Sequence, residues 1–256
     1  MSADRRRWLQ GAGASLAGLW LAACDNLTRS KQGSDLLVQA ERLTLRAQRL
    51  AADRRALARE FAPADISPNF KPNGSVNPDD PAYVAHRDAG FADWRLVVDG
   101  LVERPLALSL AELRRLPARS QITRHDCVEG WSDIAKWRGA RLGPLLDHVG
   151  LKPQARYIVF HCADNLGRTA DASGRYYESL DLVDAYHPQT LLAYEMNDEP
   201  LPLAHGAPLR LRVERQLGYK HAKYVMRLEA VADFAHIGGG KGGFWEDRGY
   251  EWYAGI

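Results

Sequence analysis

The chain has 256 residues, 46% of them hydrophobic, with 34 lysines and arginines against 32 aspartates and glutamates. Its formal net charge of +2 includes the Arg5-Arg6-Arg7 run, so the rest is near neutral, and no basic run interleaved with aromatics points to nucleic acid. Among only three cysteines there is no Cys-x-x-Cys-His, and no Gly-x-Gly-x-x-Gly loop occurs; neither attached haem nor NAD is expected.

The first residues read as an address. Arg5-Arg6-Arg7-Trp8-Leu9-Gln10 places paired arginines before an aromatic and a leucine, as in twin-arginine export signals. Gly11 to Ala23 carries no charge and is too short to span a bilayer, which takes about 20 apolar residues. Leu21-Ala22-Ala23-Cys24 matches a bacterial lipobox, in which cleavage leaves Cys24 as an acylated N-terminus, and Asp25 resembles an inner-membrane retention signal. The expectation is a signal peptide over 1–23 and a periplasmic protein anchored by lipid to the inner membrane. About 230 residues remain, enough for one well-buried domain.

A polar tether from Cys24 to Ser34 leads into Leu36–Phe61, which lacks internal Gly and Pro and predicts a helix stopped by Pro63. Tether and helix make up 24–61. Ala62 to Tyr83 holds five prolines and predicts an irregular segment of the kind that wraps a site. Trp94–Val98 alternates as a strand, with a hairpin signal at Asp99-Gly100. Ser109-x-x-Glu112 is a capping box for a short helix. Gln121–Asp126 predicts a strand that delivers Cys127 at its end, and Leu142–Val149, closed by Gly150, a short helix. Tyr157–His161 reads as a buried strand. Leu191–Tyr194 and Leu209–Val213 read as strands joined by the Asn197-Asp198-Glu199-Pro200 turn, and Tyr224–Phe234 as the last long strand. Short strands with scattered short helices predict an α+β domain over 62–237. The tail 238–256 combines six glycines between Gly238 and Gly249 with Phe244, Trp245, Tyr250, Trp252 and Tyr253. It reads as a flexible hinge that covers a pocket mouth or packs on the surface.

The chemistry concentrates in Arg124-His125-Asp126-Cys127-Val128-Glu129-Gly130-Trp131-Ser132, with Lys136, Trp137, Arg138 and Gly139 behind it. Arg124, His125 and Lys136 surround a lone thiol with cations, a setting that favours the thiolate and its binding of soft metals. Two other readings stay open. His125, Cys127, His161 and Cys162 are candidate zinc or copper ligands, although His161 and Cys162 are sequential on a strand and point to opposite faces. A Cys127–Cys162 disulfide is permitted in an oxidising compartment.

The Cys127 stretch resembles the metal-binding loop of the sulfite oxidase-type molybdopterin enzymes, in their bacterial periplasmic branch. Three further blocks follow in that family's order. They are Tyr157–Asp164; Tyr177–Asp181 with His187-Pro188 and Leu192–Asn197; and His205–Arg210 with Gly218–Lys223. The resemblance covers Asn69 to Phe234. It implies a single molybdopterin-binding domain with mixed β-sheets and short helices, carrying molybdenum–molybdopterin and neither haem nor NAD. It implies Cys127 as the protein ligand to molybdenum, and the charges of Arg124 and Lys136 near that thiol make them the expected catalytic cations beside it. It assigns to the cofactor Asn69 and Phe70 of the irregular segment, Cys162, His205, Arg210 and Lys223, and the turn carrying His221 and Ala222.

The implied reaction is a two-electron oxygen-atom transfer on a small substrate, a sulfite, sulfoxide or N-oxide, cycling Mo(VI) and Mo(IV). An electron partner is implied too, either a membrane b-type cytochrome or a soluble cytochrome c, serving a monomeric, membrane-anchored enzyme. A lipoprotein that keeps this fold only for binding is the alternative.

Overall fold

The computed structural model describes residues 30–51, 53–167 and 174–256. The export and lipobox features, Cys24 included, lie outside the described residues. These fall into two units divided between Asp53 and Arg54. The first contains the helix Lys31–Ala51. It ends ten residues before the predicted Phe61 because the following stretch is claimed by pairing in the second unit. There Glu60 bridges Thr123, the Phe61 N–H donates to Ile122 O at 2.9 Å, and the Ala58 N–H donates to Gln189 Oε1 at 2.7 Å. No described helix is long and apolar enough to cross a membrane.

The second unit holds ten strands: β1 Arg95–Gly100, β2 Leu106–Ser109, β3 Ala118–Cys127, β4 Trp131–Arg141, β5 Tyr157–Asn165, β6 Arg175–Asp181, β7 Leu191–Met196, β8 Glu199–Pro200, β9 Arg210–Arg212 and β10 Val225–Val231. One sheet has the order β2-β1-β10-β5-β6 and the other β3-β4-β7-β8, with β9 also on β7. The β1–β10 pair is parallel and its neighbours β1–β2 and β10–β5 are antiparallel, so the α+β domain is built on mixed pairing as expected. The main core fills from Leu96 and Val98 on β1, Ile158 and Phe160 on β5, and Leu180 on β6, against Leu142, Leu145, Leu146 and Val149. Those last four lie at i, i+3, i+4 and i+7, one stripe of the helix Leu142–Val149. Gly150, at φ 69°, ends it by donating its N–H back to Leu146 O.

The capping box forms as read. Ser109 N–H donates to Glu112 Oε2 at 2.8 Å and the Glu112 N–H returns to Ser109 Oγ at 3.2 Å. Asn197 and Asp198, at φ 53° and 66°, make the turn after β7. That turn leads to β8 and not directly to β9, because β9 joins the sheet from a later segment. β4 and β6 lack an alternating apolar signal: β4 places Asp133, Lys136, Arg138 and Gly139 between its two indoles and its end. Pairing with β3 on one side and β7 on the other makes it a strand. The proline-rich stretch is irregular apart from the turn Pro63–Asp65 and the helix Pro81–Asp88, capped by Asp80. It runs along the β3–β4 hairpin as a strap, with the Ser67 N–H donating to Ile134 O at 2.9 Å.

The tail is anchored where a hinge is expected. A Cβ at Gly238 would meet the Tyr177 ring at 2.5 Å, and at Gly243 it would meet Glu246 Oε2 at 2.0 Å. These glycines serve close approach, not freedom. Gln216 bridges Gly255, and the Leu217 N–H donates to Ala254 O at 2.9 Å.

A close backbone approach between strands falls at Gly139, beside the β4–β7 irregularity. A Cβ there would lie 2.3 Å from Leu192 O and 2.6 Å from Ala193 Cα. Gly139→Ala therefore forces β7 away and is expected to cost about 1–3 kcal/mol, a fall in melting temperature of roughly 2–10 °C. A melting curve superimposable on the parent's contradicts this account of the β4–β7 contact.

Candidate active site

Strand alternation decides what faces the site. Along β3, Gln121, Thr123 and His125 are buried while Arg124 between them is exposed. Cys127, two residues past His125, continues the buried face. β3 turns into β4 immediately beyond it, with the Gly130 N–H donating to Cys127 O at 3.0 Å and Gly130 at φ 86°. Cys127 opens onto a cavity of about 670 Å³, mouth included, together with Asn73 and Gly74 of the strap, Asp164, His221 and Lys223. Val128, Leu166, Tyr176, Tyr219, Trp245 and Tyr250 complete its apolar side, and Glu129 lies at its rim.

Beside the cavity sits a nest of buried cations. β9 places Arg210 and Arg212, both 0% exposed, with guanidiniums 4.8 and 4.4 Å from the Trp137 ring centre. Arg212 is neutralised by Glu214, donating to both carboxylate oxygens, at 2.8 and 2.5 Å. It also donates to His125 Nδ1 at 3.1 Å. Arg210 donates Nη1 to His205 O at 3.0 Å, and its Nε and Nη2 have no partner. Lys223 donates to Ala204 O at 2.9 Å and to Ser75 O. Gly206, at φ 112°, lets Arg210 and Lys223 converge: a Cβ there would lie 3.0 Å from Lys223 Cβ and 3.2 Å from Arg210 Cβ. The strap lays Phe70 over the nest, its ring centre 5.7 Å from His125, 5.5 Å from Trp137 and 5.4 Å from His205.

The crowding lowers the proton affinity of the groups in the nest. Burial, then Arg212 and Arg210, hold His125 well below its ordinary pKa. Burial, Arg212 and His125 do the same to His221. Burial, Arg210 and Lys223 bring His205 down to about 4. Lys223 is lowered by burial and Arg210, and Arg210 falls to about 9 by burial and Arg212, so it remains charged at neutral pH. Burial raises the Asp164 carboxyl.

This nest fits a molybdopterin. Arg212 donates to His125 Nδ1, so the proton of neutral His125 sits on Nε2. With Arg210 Nε and Nη2 and Trp137 Nε1, that N–H is a buried donor with no partner. His221 Nε2 meets Gln216 O at 3.0 Å, which leaves Nδ1 an acceptor; it, Asn73 Oδ1 and Asp164 Oδ1 are buried and without partners. An isolated anion would satisfy only the donors. A group with both a phosphate and polar N–H edges satisfies both sets.

Several expected residues stand elsewhere. Arg124, three residues from Cys127, faces the opposite side of the hairpin and pairs with Asp126 at 2.8 Å. Lys136 pairs across the hairpin with Ile122, five residues and roughly 17 Å from Cys127 along the strand, and holds Asp198 at 2.7 Å. Neither acts on the thiol, which is pushed above its ordinary pKa, first by burial and then, among the charges, by Glu129. Any metal ion bound at Cys127 would have to displace its proton.

Cys162 sits in the main core away from the cavity lining, its thiol pushed well up by burial. Ala222 is a core residue whose carbonyl accepts from the Leu211 N–H at 2.8 Å. The expected amide cradle is partly spent, because the N–H groups of Lys220, His221 and Ala222 turn back onto Leu217, Gly218 and Lys220. Asn69 is exposed, while its neighbour Phe70 packs into the nest.

Cys127 and Cys162 are both free thiols. Among the described residues no three His, Cys, Asp or Glu side chains gather to hold a metal ion; His161 meets Glu229 at 2.8 Å. Sequence reasoning did not single out Asp164, Trp137, Arg212 or Glu214 as site residues. Asp164 closes the Tyr157–Asp164 block, the one signal that was available.

Comparison with known proteins gives the family. The oxidoreductase molybdopterin binding domain matches residues 83–236, and the chain belongs to that family, whose members are molybdopterin-dependent oxidoreductases. It is 35% identical over 251 residues to the putative protein-methionine-sulfoxide reductase subunit YedZ1 of Azospira oryzae, covering 98% of this chain and 87% of that protein. It is 38% identical over 146 residues to the protein-methionine-sulfoxide reductase catalytic subunit MsrP of Gluconobacter oxydans, covering 54% of this chain and 47% of the relative. MsrP of Xanthomonas campestris pv. campestris is 35% identical over 158 residues, 59% of this chain and 49% of the relative. The chain thus matches about half the length of the two MsrP proteins.

The depressed His205 gives a signed pH dependence. Its imidazole takes up a proton near 6.5 when unfolded and near 4 when folded. Between those values the unfolded chain binds more protons, so this residue's contribution to stability is present above 6.5 and lost as the pH falls toward 4. In cofactor-free protein, His205→Asn should flatten the loss of stability between pH 6.5 and 4 relative to the parent. Parallel stability curves for the two proteins refute the assignment.

Proposed function

We propose that this chain is the catalytic subunit of a periplasmic reductase that removes oxygen from sulfoxides of the methionine type. The observation that carries the reading is the meeting of Cys127 with partnerless buried donors and acceptors around one cavity. When bound, the molybdenum–molybdopterin supplies two-electron exchange coupled to oxygen-atom transfer. The net change balances as sulfoxide plus two electrons and two protons giving thioether and water.

The chain's own residues hold and shield the group. Cys127 would be the thiolate ligand to the metal, after losing its proton. Arg210 and Lys223 offer charge-assisted bonds to phosphate. Asp164 Oδ1 and His221 Nδ1 would accept from polar ring edges, and Phe70 covers the nest. His205 presents a neutral ring.

A sulfoxide suits this cavity better than sulfite does. A dianion needs several cations, yet Arg124 and Lys136 turn away, and Arg138 pairs with Glu195 at 3.5 Å. Lys223 is the one lysine or arginine in the cavity lining, which otherwise combines Asn73, Asp164 and His221 with aromatic and aliphatic groups and has Glu129 at its rim. A neutral sulfoxide with apolar substituents meets no repulsion there. The names of the three relatives, each a methionine-sulfoxide reductase subunit, support the same substrate class.

Those names also support a partner subunit. The electrons would come from a membrane b-type cytochrome or a soluble cytochrome c. The paired arginines and the lipobox at Cys24 support export in the folded state and a lipid anchor on the inner membrane.

Two outcomes test this. Cys127→Ser should fold with an unchanged melting temperature, within about 1 °C, and lose sulfoxide reduction, because a hydroxyl is a poor substitute for a thiolate on the metal. Full activity in that variant removes Cys127 from the metal. Cys24→Ser should move the protein from the membrane to the soluble fraction, and mass spectrometry should find lipid on Cys24 of the parent; an unmodified Cys24 ends the anchor proposal.

A further inference from the structure

Residues 237–256 lie beyond the span 83–236 shared with the family, yet they build one side of the Cys127 cavity. Trp245 and Tyr250 stack with ring centres 5.2 Å apart. Tyr250 meets Tyr219 edge-on, also at 5.2 Å, and all three rings line the cavity that Cys127, His221 and Lys223 line from the domain. We propose that this tail is a fixed, substrate-selecting wall, in which Trp245 and Tyr250 hold the apolar substituent of the sulfoxide while its polar S–O end faces the domain. The proposal rests on the sulfoxide reading above and adds the residues that set its selectivity.

The wall is built to stay in place. Lys220, fully buried, is clamped between Glu178 and Glu246, with Glu246 Oε1 at 2.5 Å. Glu246 follows Trp245 directly, so the clamp fixes the indole. Asp247 accepts from the Gly239 N–H at 2.7 Å, the Lys241 N–H at 3.0 Å and the Tyr177 hydroxyl at 2.7 Å. The Tyr219 hydroxyl donates to Glu251 O at 2.6 Å, and Phe244 stacks on Tyr176 at 5.6 Å. A wall tied at so many points discriminates by shape and chemistry rather than by opening and closing.

The chemistry of the rings names the ligand. A sulfoxide has one strongly polar oxygen and two carbon substituents. Aromatic faces and edges accept alkyl groups and make favourable contacts with sulfur, whereas they offer nothing to a small, fully hydrated oxide. An apolar substituent therefore gains from the wall, and a compact polar substrate gains little.

The test compares methyl phenyl sulfoxide with dimethyl sulfoxide in molybdenum-loaded parent, Trp245→Ala, Tyr250→Ala and Trp245→Phe. The ratio of kcat/KM for the two substrates should fall on the order of tenfold in each alanine variant, as loss of a ring contact requires, and recover in Trp245→Phe. Calorimetric titration with methyl phenyl sulfide supplies a readout without turnover, and its affinity should fall in parallel. Should Trp245→Ala fail to fold, Tyr250→Ala decides, since Tyr250 is 40% exposed. Unchanged ratio and unchanged affinity in folded variants overturn the wall. A parent that reduces no sulfoxide refutes the activity reading instead, and the calorimetric arm then decides the wall on its own.

Discussion

Two buried guanidiniums against one indole, Arg210 and Arg212 beside Trp137, impose the demand that the surrounding structure answers. Taking a charge out of water costs several kcal/mol unless it is paired and hydrogen-bonded. Glu214 meets the demand for Arg212, and is itself held by Gln121 Nε2 at 2.9 Å. Arg210 has a carbonyl and a ring face but no carboxylate. Lys223, His205, His125 and His221 crowd the same region, and each has its proton affinity pushed down. A site so biased is completed by an anion, and the orphaned acceptors beside it ask that the anion carry N–H groups too.

The scaffold delivers this nest through close backbone approaches. Gly139 brings β4 against β7, β7 carries β9, and β9 carries both arginines. Gly206 allows Lys223 to reach Arg210. The strap then crosses from the β3–β4 hairpin, placing Phe70 on the nest and Ser75 on Asp164 at 2.9 Å. The tail closes the remaining side. Nest, strap and tail come from three separate parts of the chain, and they meet only because the two sheets bring the ends of β3, β5 and β9 together.

Much of this was legible beforehand, and unevenly. The helix Leu142–Val149 and the capping box at Ser109 were readable because their signals are local: an apolar stripe, a glycine stop, a reciprocal side-chain bond. β4 was not, because its strand character comes from neighbours on both sides. The order of motifs named Cys127, Arg210, Lys223 and Phe70, and the fold places them at the cavity or in the nest beside it. Arg124 and Lys136 stand away from the thiol for two reasons that proximity in sequence hides: two residues along β3 keeps His125 on Cys127's side while three puts Arg124 on the other, and the hairpin carries Lys136 back beside Ile122. The tail's glycines looked like a hinge, and only the packing shows that Gly238, Gly239, Gly242 and Gly243 lack room for a side chain.

The central claim is that the cation nest holds a molybdopterin whose metal meets Cys127. The direct measurement is the molybdenum and pterin content of protein purified from a molybdenum-replete host, for the parent and for the Arg210→Ala/Lys223→Ala double variant. The account predicts one molybdenum and one pterin per parent chain. It predicts that the double variant keeps its fold but loses most of both, since each charge-assisted bond contributes about 1.5–3 kcal/mol. Folded parent protein that carries neither, or a double variant that retains both in full, contradicts it.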